Sequence, residues 1–163
     1  MKMTEMFLKE MAQEAEITRK MLSRIPKDKY DWKPHERSMS VKQLACHIAE
    51  LPEWVSMAIN ADELDFEKAP YAPKEVKTNK EVLAIFEKAN ATAKADLEKA
   101  KDDIMPKNWV MRSGKDIYYE ASKGEVIRMT FNQMVHHRAQ MGVFLRLLNV
   151  PIPASYGPSA DEH

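Results

Sequence analysis

Apolar residues recur at three- and four-residue steps along four long stretches of the chain. This is the period of an α-helix that buries one face. In the first stretch Met11, Ala15 and Leu22 share such a face, and lysines and glutamates fill the opposite side. The pattern predicts helices over residues 4–25, 40–59, 79–101 and 123–148.

Three of these helices begin with the sequence form of a capping box, in which two polar side chains satisfy backbone groups that a helix end leaves unpaired. The boxes read SVKQ from Ser40, TNKE from Thr78 and SKGE from Ser122. A proline inside the second helix, Pro52, should kink it or begin a new turn there, because proline has no backbone N–H to donate.

The connections between the predicted helices are of unequal length. Residues 60–77 contain two prolines and exceed a tight helix–helix turn, so they should cross the end of a bundle. Residues 109–111 and 117–119 flank a turn and should pair briefly, and the proline-rich residues 150–163 form a non-helical tail. The chain is therefore predicted to be one all-α domain over residues 1–163, a four-helix bundle with long crossover connections.

Composition narrows the function classes. The chain has 163 residues, with 25 basic and 25 acidic side chains and no net charge, which argues against a general nucleic-acid binder. Cys46 is the only cysteine, so no intramolecular disulfide can form, and this suits a cytoplasmic protein. No apolar run reaches the ~20 residues that span a bilayer, so no membrane partner is expected.

Two histidines fall on apolar stripes that should face the core. His137 comes three residues after Met134 and four before Met141, and His47 comes four before Leu51. Burying an unsatisfied imidazole costs roughly 1–3 kcal/mol, so each ring needs a partner. A metal, a carboxylate and a backbone carbonyl are all open possibilities.

Several common sites are excluded by their missing motifs. No histidine has a glutamate three residues before it, as ferritin-like di-iron sites require, and His-Glu-x-x-His is also absent. The chain has neither a Gly-rich phosphate loop nor a Gly-x-Ser-x-Gly elbow. Cys46 and His47 leave their helix about 100° apart, which disfavours a nucleophile pair.

Two segments resemble the signatures of the DinB superfamily. Residues 132–162, NQMVHHRAQMGVFLRLLNVPIPASYGPSADE, resemble its C-terminal end, and residues 32–51, WKPHERSMSVKQLACHIAEL, resemble its Trp-x-Pro turn followed by a histidine-bearing helix. The resemblance implies a four-helix bundle that holds a divalent metal, zinc or nickel, with three side chains. Two of these side chains lie four residues apart on the last helix.

By this resemblance the metal residues are His47, His137 and Gln133, the last at a position where the pattern has histidine. An amide oxygen is a weaker ligand than imidazole for these metals, so the metal is expected to bind weakly or to be lost. His136 leaves the helix about 100° away from His137 and is expected at the mouth of the pocket. Glu50 is expected to be a solvated carboxylate, with a role in orienting or ligating at the site as the alternative.

The resemblance also implies an activity class. It suggests a thiol-dependent S-transferase or isomerase that uses a low-molecular-weight thiol, or a metal-dependent hydrolase, acting on a small molecule in the bundle pocket during stress or detoxification. The alternative is a non-catalytic helical bundle that has lost or weakened its metal site. The resemblance also suggests a homodimer, and 12 methionines would suit an adaptable apolar interface.

Overall fold

A computed structural model describes residues 2–163. Its helices are α1 (Met3–Ser23), α2 (Val41–Glu50), α3 (Glu53–Asn60), α4 (Asn79–Lys99) and α5 (Lys123–Leu147). Its strands are β1 (Glu63–Asp65), β2 (Asn108–Ser113) and β3 (Asp116–Ser122). Single 3₁₀ turns lie at Lys27–Lys29 and Asp102–Ile104.

The helices pack around one apolar core. α4 contacts α1, α2 and α3, and α5 contacts the same three helices from the other side. The largest fully buried side chains come from α1, α2, α4, α5 and β2; they include Leu22, Leu44, Phe86, Trp109 and Phe131. Among residues 2–163, no helix has the length and apolar content needed to cross a bilayer.

The all-α prediction is wrong, because the chain also forms a three-stranded sheet. β1 pairs with β2 in parallel and β2 pairs with β3 antiparallel, in the order β1-β2-β3. β1 lies within the connection that was expected only to cross the bundle end. The short pairing expected at residues 109–111 and 117–119 extends over both strands, since buried Trp109 anchors β2 in the core. Gly114 makes the tight turn with a φ of 55°, which glycine adopts without steric cost.

The second predicted helix divides at Pro52, as its position in the sequence suggests. α2 ends at Glu50 and α3 begins at Glu53, because proline cannot donate a helical hydrogen bond. The capping boxes at Ser40 and Ser122 form in full. At Thr78 the hydroxyl accepts from the backbone N–H of Glu81, while the Glu81 carboxylate accepts from the backbone of Lys77 instead of completing the box.

A buried ion pair joins α5 to α1. Arg138 is 3% exposed and Glu14 is 6% exposed, and the Arg138 guanidinium donates to the Glu14 carboxylate over 2.6 Å and to the Thr18 hydroxyl over 3.0 Å. The Tyr156 hydroxyl accepts from Arg138 and donates to Glu14, both over 2.7 Å. The C-terminal tail is therefore tied to the same network.

Removing one member of this pair should destabilise the fold strongly. We expect Arg138→Met to lower the free energy of unfolding by about 3–5 kcal/mol, because Glu14 would keep an uncompensated buried charge. Arg128→Met is the matched control: Arg128 also joins α5 to α1, through Glu10, but is 45% exposed, so its loss should cost under about 1 kcal/mol. Urea denaturation measures both variants, and equal losses would contradict the prediction.

Candidate functional site

The structure brings His47 and His137 together across the bundle. Their ring centroids are 4.4 Å apart, and the rings meet edge to face at 82°. His47 lies on α2, whose inward face is fixed by buried Leu44 and Ile48. On α5, Met134 and Met141 lie three residues before and four residues after His137, and both are buried. Each imidazole therefore lies on the inward face of its own helix.

Burial favours the neutral form of both imidazoles. Burial lowers the pKa of His47, and the neighbouring His137 lowers it further. Burial also lowers the pKa of His137, with a raising effect from its hydrogen bond to Gln140 and a lowering effect from His136. A neutral imidazole is the form that ligates a metal or accepts a proton.

A third histidine adjoins the pair. The His136 and His137 rings have centroids 4.8 Å apart, although the two side chains start about 100° apart on the helix. The Gln140 side chain lies between them, with Oε1 2.9 Å from Nδ1 of His137 and Nε2 3.2 Å from Nε2 of His136. His136 is exposed, which agrees with a place at the mouth of the site.

Gln133 lies one turn before His137 on α5 and is partly buried. Within residues 2–163, no group of three or more His, Cys, Asp or Glu side chains is placed to hold a metal ion. The donors at hand are therefore two imidazoles, with the Gln133 amide as the third that the sequence suggests. Two imidazoles fit a divalent transition metal such as zinc or nickel, and an amide third donor would make the site weaker than three imidazoles.

A cleft of about 350 Å³ opens beside His137. Its lining is mostly apolar and carries no charged side chain; it comprises Ser38, Met39, Leu44, His137, Gln140, Val143 and Phe144. The size and lining suit one apolar group of a small molecule, such as an aromatic ring or a short alkyl chain.

The Trp-x-Pro turn packs against a residue that lines this cleft. Trp32 packs edge to face on Phe144 with 5.6 Å between ring centroids. Its backbone carbonyl accepts a hydrogen bond of 3.0 Å from the N–H of Val41, the first residue of α2. The turn thus links the start of α2 to α5, and Ser38 and Met39, which lie between the turn and α2, line the cleft.

Glu50 is buried, so its expected role as a solvated carboxylate is wrong. The Tyr71 hydroxyl donates to Glu50 over 3.1 Å, and the Lys74 ammonium lies 3.8 Å from the other carboxylate oxygen. Burial is the main cause that raises the pKa of Glu50. Sequence periodicity could not show this, because the covering residues come from the irregular connection between α3 and α4.

Cys46 is buried beside the same connection, and its thiol lies 3.7 Å from the backbone carbonyl of Lys74. Burial, followed by the charge of Glu50, raises the pKa of this thiol to about 11. A thiol with such a pKa is a poor nucleophile near neutral pH. Its environment supports the interpretation of Cys46 as a packed residue.

The DinB family model matches residues 1–163, the full length of the chain. The chain belongs to the DinB family. No curated protein matches the sequence at a significant level.

Solved structures of DinB-like proteins share the fold. A DinB-like protein from Bacillus subtilis has a TM-score of 0.69 at 14% identity, over 97% of this chain and 99% of its own. One from Bacillus cereus has a TM-score of 0.71 at 21% identity, over 93% and 97%. A mycothiol-dependent maleylpyruvate isomerase has a TM-score of 0.54 at 11% identity, over 98% of this chain and 64% of its own. Identities this low show a shared fold only.

The two segments that resemble DinB signatures, residues 32–51 and 132–162, form the two sides of the histidine pair. They supply His47 and His137 respectively, and the fold places these two rings in contact. The sequence alone did not indicate the cleft. Gln140 follows His136 by four residues and His137 by three. That spacing puts its side chain within reach of both rings.

The lowered pKa values predict a pH-dependent stability. The ordinary histidine pKa is 6.5, so below that pH the unfolded chain takes up protons that the folded imidazoles resist, and the free energy of unfolding falls as the pH decreases. We expect His47→Gln to make this decrease shallower between pH 7.5 and 5. His163→Gln, at the exposed C-terminus, should leave it unchanged. Urea denaturation across this range measures the slope, and identical slopes in all three proteins would contradict the account.

Proposed function

We propose that this DinB-family protein is a metal-dependent enzyme that acts on a small molecule bound in the cleft beside His137, whose ring adjoins that of His47. The observation that carries the proposal is the approach of these two imidazoles, 4.4 Å between centroids, from different helices. Membership of the family and the cleft next to His137 support it further.

The metal, zinc or nickel, would be held by His47 and His137, with Gln133 as a weaker third donor. When bound, such a metal favours thiolate over thiol near neutral pH or activates a water. The chain's own part is to keep both imidazoles neutral by burial and to present one apolar wall to the substrate.

A thiol-dependent transferase or isomerase is the reaction class that we favour over a hydrolase. The fold is shared with a mycothiol-dependent maleylpyruvate isomerase, which gives the thiol class a precedent on this architecture. Cys46 does not supply the thiol, because burial suppresses its ionisation. The thiol would therefore be a low-molecular-weight cosubstrate, and a role in cytoplasmic detoxification would follow from that chemistry.

The alternative function is a non-catalytic bundle that has kept the fold and weakened the metal site. The absence, among residues 2–163, of three His, Cys, Asp or Glu side chains placed around one point favours it. Metal analysis of protein purified without a histidine tag distinguishes the metal-dependent enzyme from the non-catalytic bundle. A zinc or nickel content near one per chain supports the enzyme, and metal-free protein that also fails to bind added metal supports the alternative.

Restoring the third imidazole should strengthen metal binding. We expect Gln133→His to raise the affinity for zinc by about tenfold or more, which is about 1.4 kcal/mol. Asn132→His is the control, since it adds an imidazole to an exposed neighbouring position that points about 100° away. Titration calorimetry compares the two variants with the wild type. Equal affinities for Gln133→His and the wild type would show that position 133 is not at the site.

The cleft can be tested with an uncharged apolar dye. We expect Nile red to fluoresce on binding to the wild type and to bind on the order of tenfold more weakly to Val143→Lys, which places an ammonium at the rim of the cleft. Val143 is 59% exposed, so the fold should tolerate the change. Leu147→Lys is the matched control, one turn further along α5, 57% exposed and outside the cleft lining. Equal weakening by both variants would contradict a specific cleft.

The homodimer expected from the sequence stays a prediction. Exposed Val143 and Leu147 on α5 and the nearby Met39 would suit an apolar contact with a second chain. Analytical ultracentrifugation at micromolar concentration measures the oligomeric state. We expect a mass near twice the 18.8 kDa of one chain. A mass near 18.8 kDa would show a monomer.

A further inference from the structure

Gln140 makes the contact that distinguishes the two ring nitrogens of His137. Its Oε1 lies 2.9 Å from Nδ1 of His137, and its Nε2 lies 3.2 Å from Nε2 of His136. Both distances are those of hydrogen bonds. One amide side chain therefore bridges the adjacent histidines of α5.

The two ends of an amide have fixed and opposite roles. The oxygen accepts hydrogen bonds and the NH₂ group donates them. Oxygen beside Nδ1 of His137 therefore requires a proton on that nitrogen, and a neutral imidazole carries only one ring proton. The NH₂ group beside Nε2 of His136 likewise requires a lone pair there, so His136 carries its proton on Nδ1 when neutral. Both contacts are satisfied by the same pair of tautomers.

We propose that Gln140 is a positioning residue that holds His137 as the Nδ1–H tautomer and leaves its Nε2 as the nitrogen with a free lone pair. Gln140 and His137 both line the cleft, so the tautomer decides which nitrogen can accept a proton or a metal there. The inference rests on the proposed function for its chemical meaning, although the tautomer itself does not depend on it.

A histidine that binds a metal through one ring nitrogen needs a hydrogen-bond acceptor for the N–H of the other. Metal-bound imidazoles nearly always donate their other ring N–H to an acceptor, which fixes the ring and raises its basicity. That acceptor is commonly a carboxylate, a backbone carbonyl or a water. Here the side-chain oxygen of Gln140, on the same helix as His137, takes this part.

Long-range ¹H–¹⁵N correlation spectra of the metal-free, full-length protein read the tautomer directly. At a pH where the ring is neutral, we expect His137 in the wild type to show a protonated Nδ1 and an unprotonated Nε2. Its signals are assigned by their loss in His137→Gln. Gln140→Glu keeps an acceptor for Nδ1–H and should preserve the tautomer, whereas Gln140→Leu removes the acceptor and should reduce its population at least about twofold.

Two results would overturn the inference. One is a wild-type His137 that carries its proton on Nε2, and the other is an unchanged tautomer in Gln140→Leu. Gln140 is exposed, so both variants should fold, and helical circular dichroism confirms this. If Gln140→Leu failed to fold, the wild-type and Gln140→Glu spectra would still decide, since Gln140→Glu must keep the wild-type tautomer.

Zinc titration separates this inference from the proposed function. If zinc binds, Gln140→Leu should lower the affinity about 10–100-fold and Gln140→Glu should retain it. If the wild type does not bind zinc but shows the Nδ1–H tautomer, the metal proposal fails and the role of Gln140 stands. If zinc binds and Gln140→Leu leaves both affinity and tautomer unchanged, the role of Gln140 fails and the metal proposal stands.

Discussion

The rotation of α5 about its own axis is the constraint on which the site depends. The buried pair between Arg138 and Glu14 fixes it, because a guanidinium 3% exposed can only be accommodated where its charge and donors are matched. Arg138 follows His137 directly, so the two side chains leave the helix about 100° apart. With Arg138 directed at α1, His137 is directed at α2, where it meets His47.

The same constraint organises the surroundings of the histidines. The C-terminal tail joins the Arg138 network through Tyr156, and a second contact, from Arg146 to Asp161 over 2.5 Å, holds it further along. Further along α5, Trp32 packs on Phe144, and Ser38 and Met39 from the loop after Trp32 line the cleft. The two signature segments of the DinB family therefore act together: each supplies one of the two rings, and each contributes residues to the lining of the cleft.

Sequence periodicity predicted the helices well, because each buries a continuous apolar face with clear end signals such as Ser40 and Ser122. The sequence indicated the pairing of β2 with β3 only in part, and it did not indicate β1. β1 has three residues and pairs with a strand more than forty residues later, and no local pattern marks so short a strand. The burial of Glu50 was missed for a similar reason, since Tyr71 covers it from an irregular connection. Gln133 was read from family resemblance, and its role as a ligand stays a prediction.

X-ray absorption spectroscopy of tag-free protein loaded with one equivalent of zinc tests the central claim most directly, because it counts imidazole ligands. The account predicts two imidazoles around zinc in the wild type, since His47 and His137 adjoin. It predicts one in His47→Ala and one in His137→Ala. A zinc shell with no imidazole in the wild type, or with the same number in all three proteins, would contradict it.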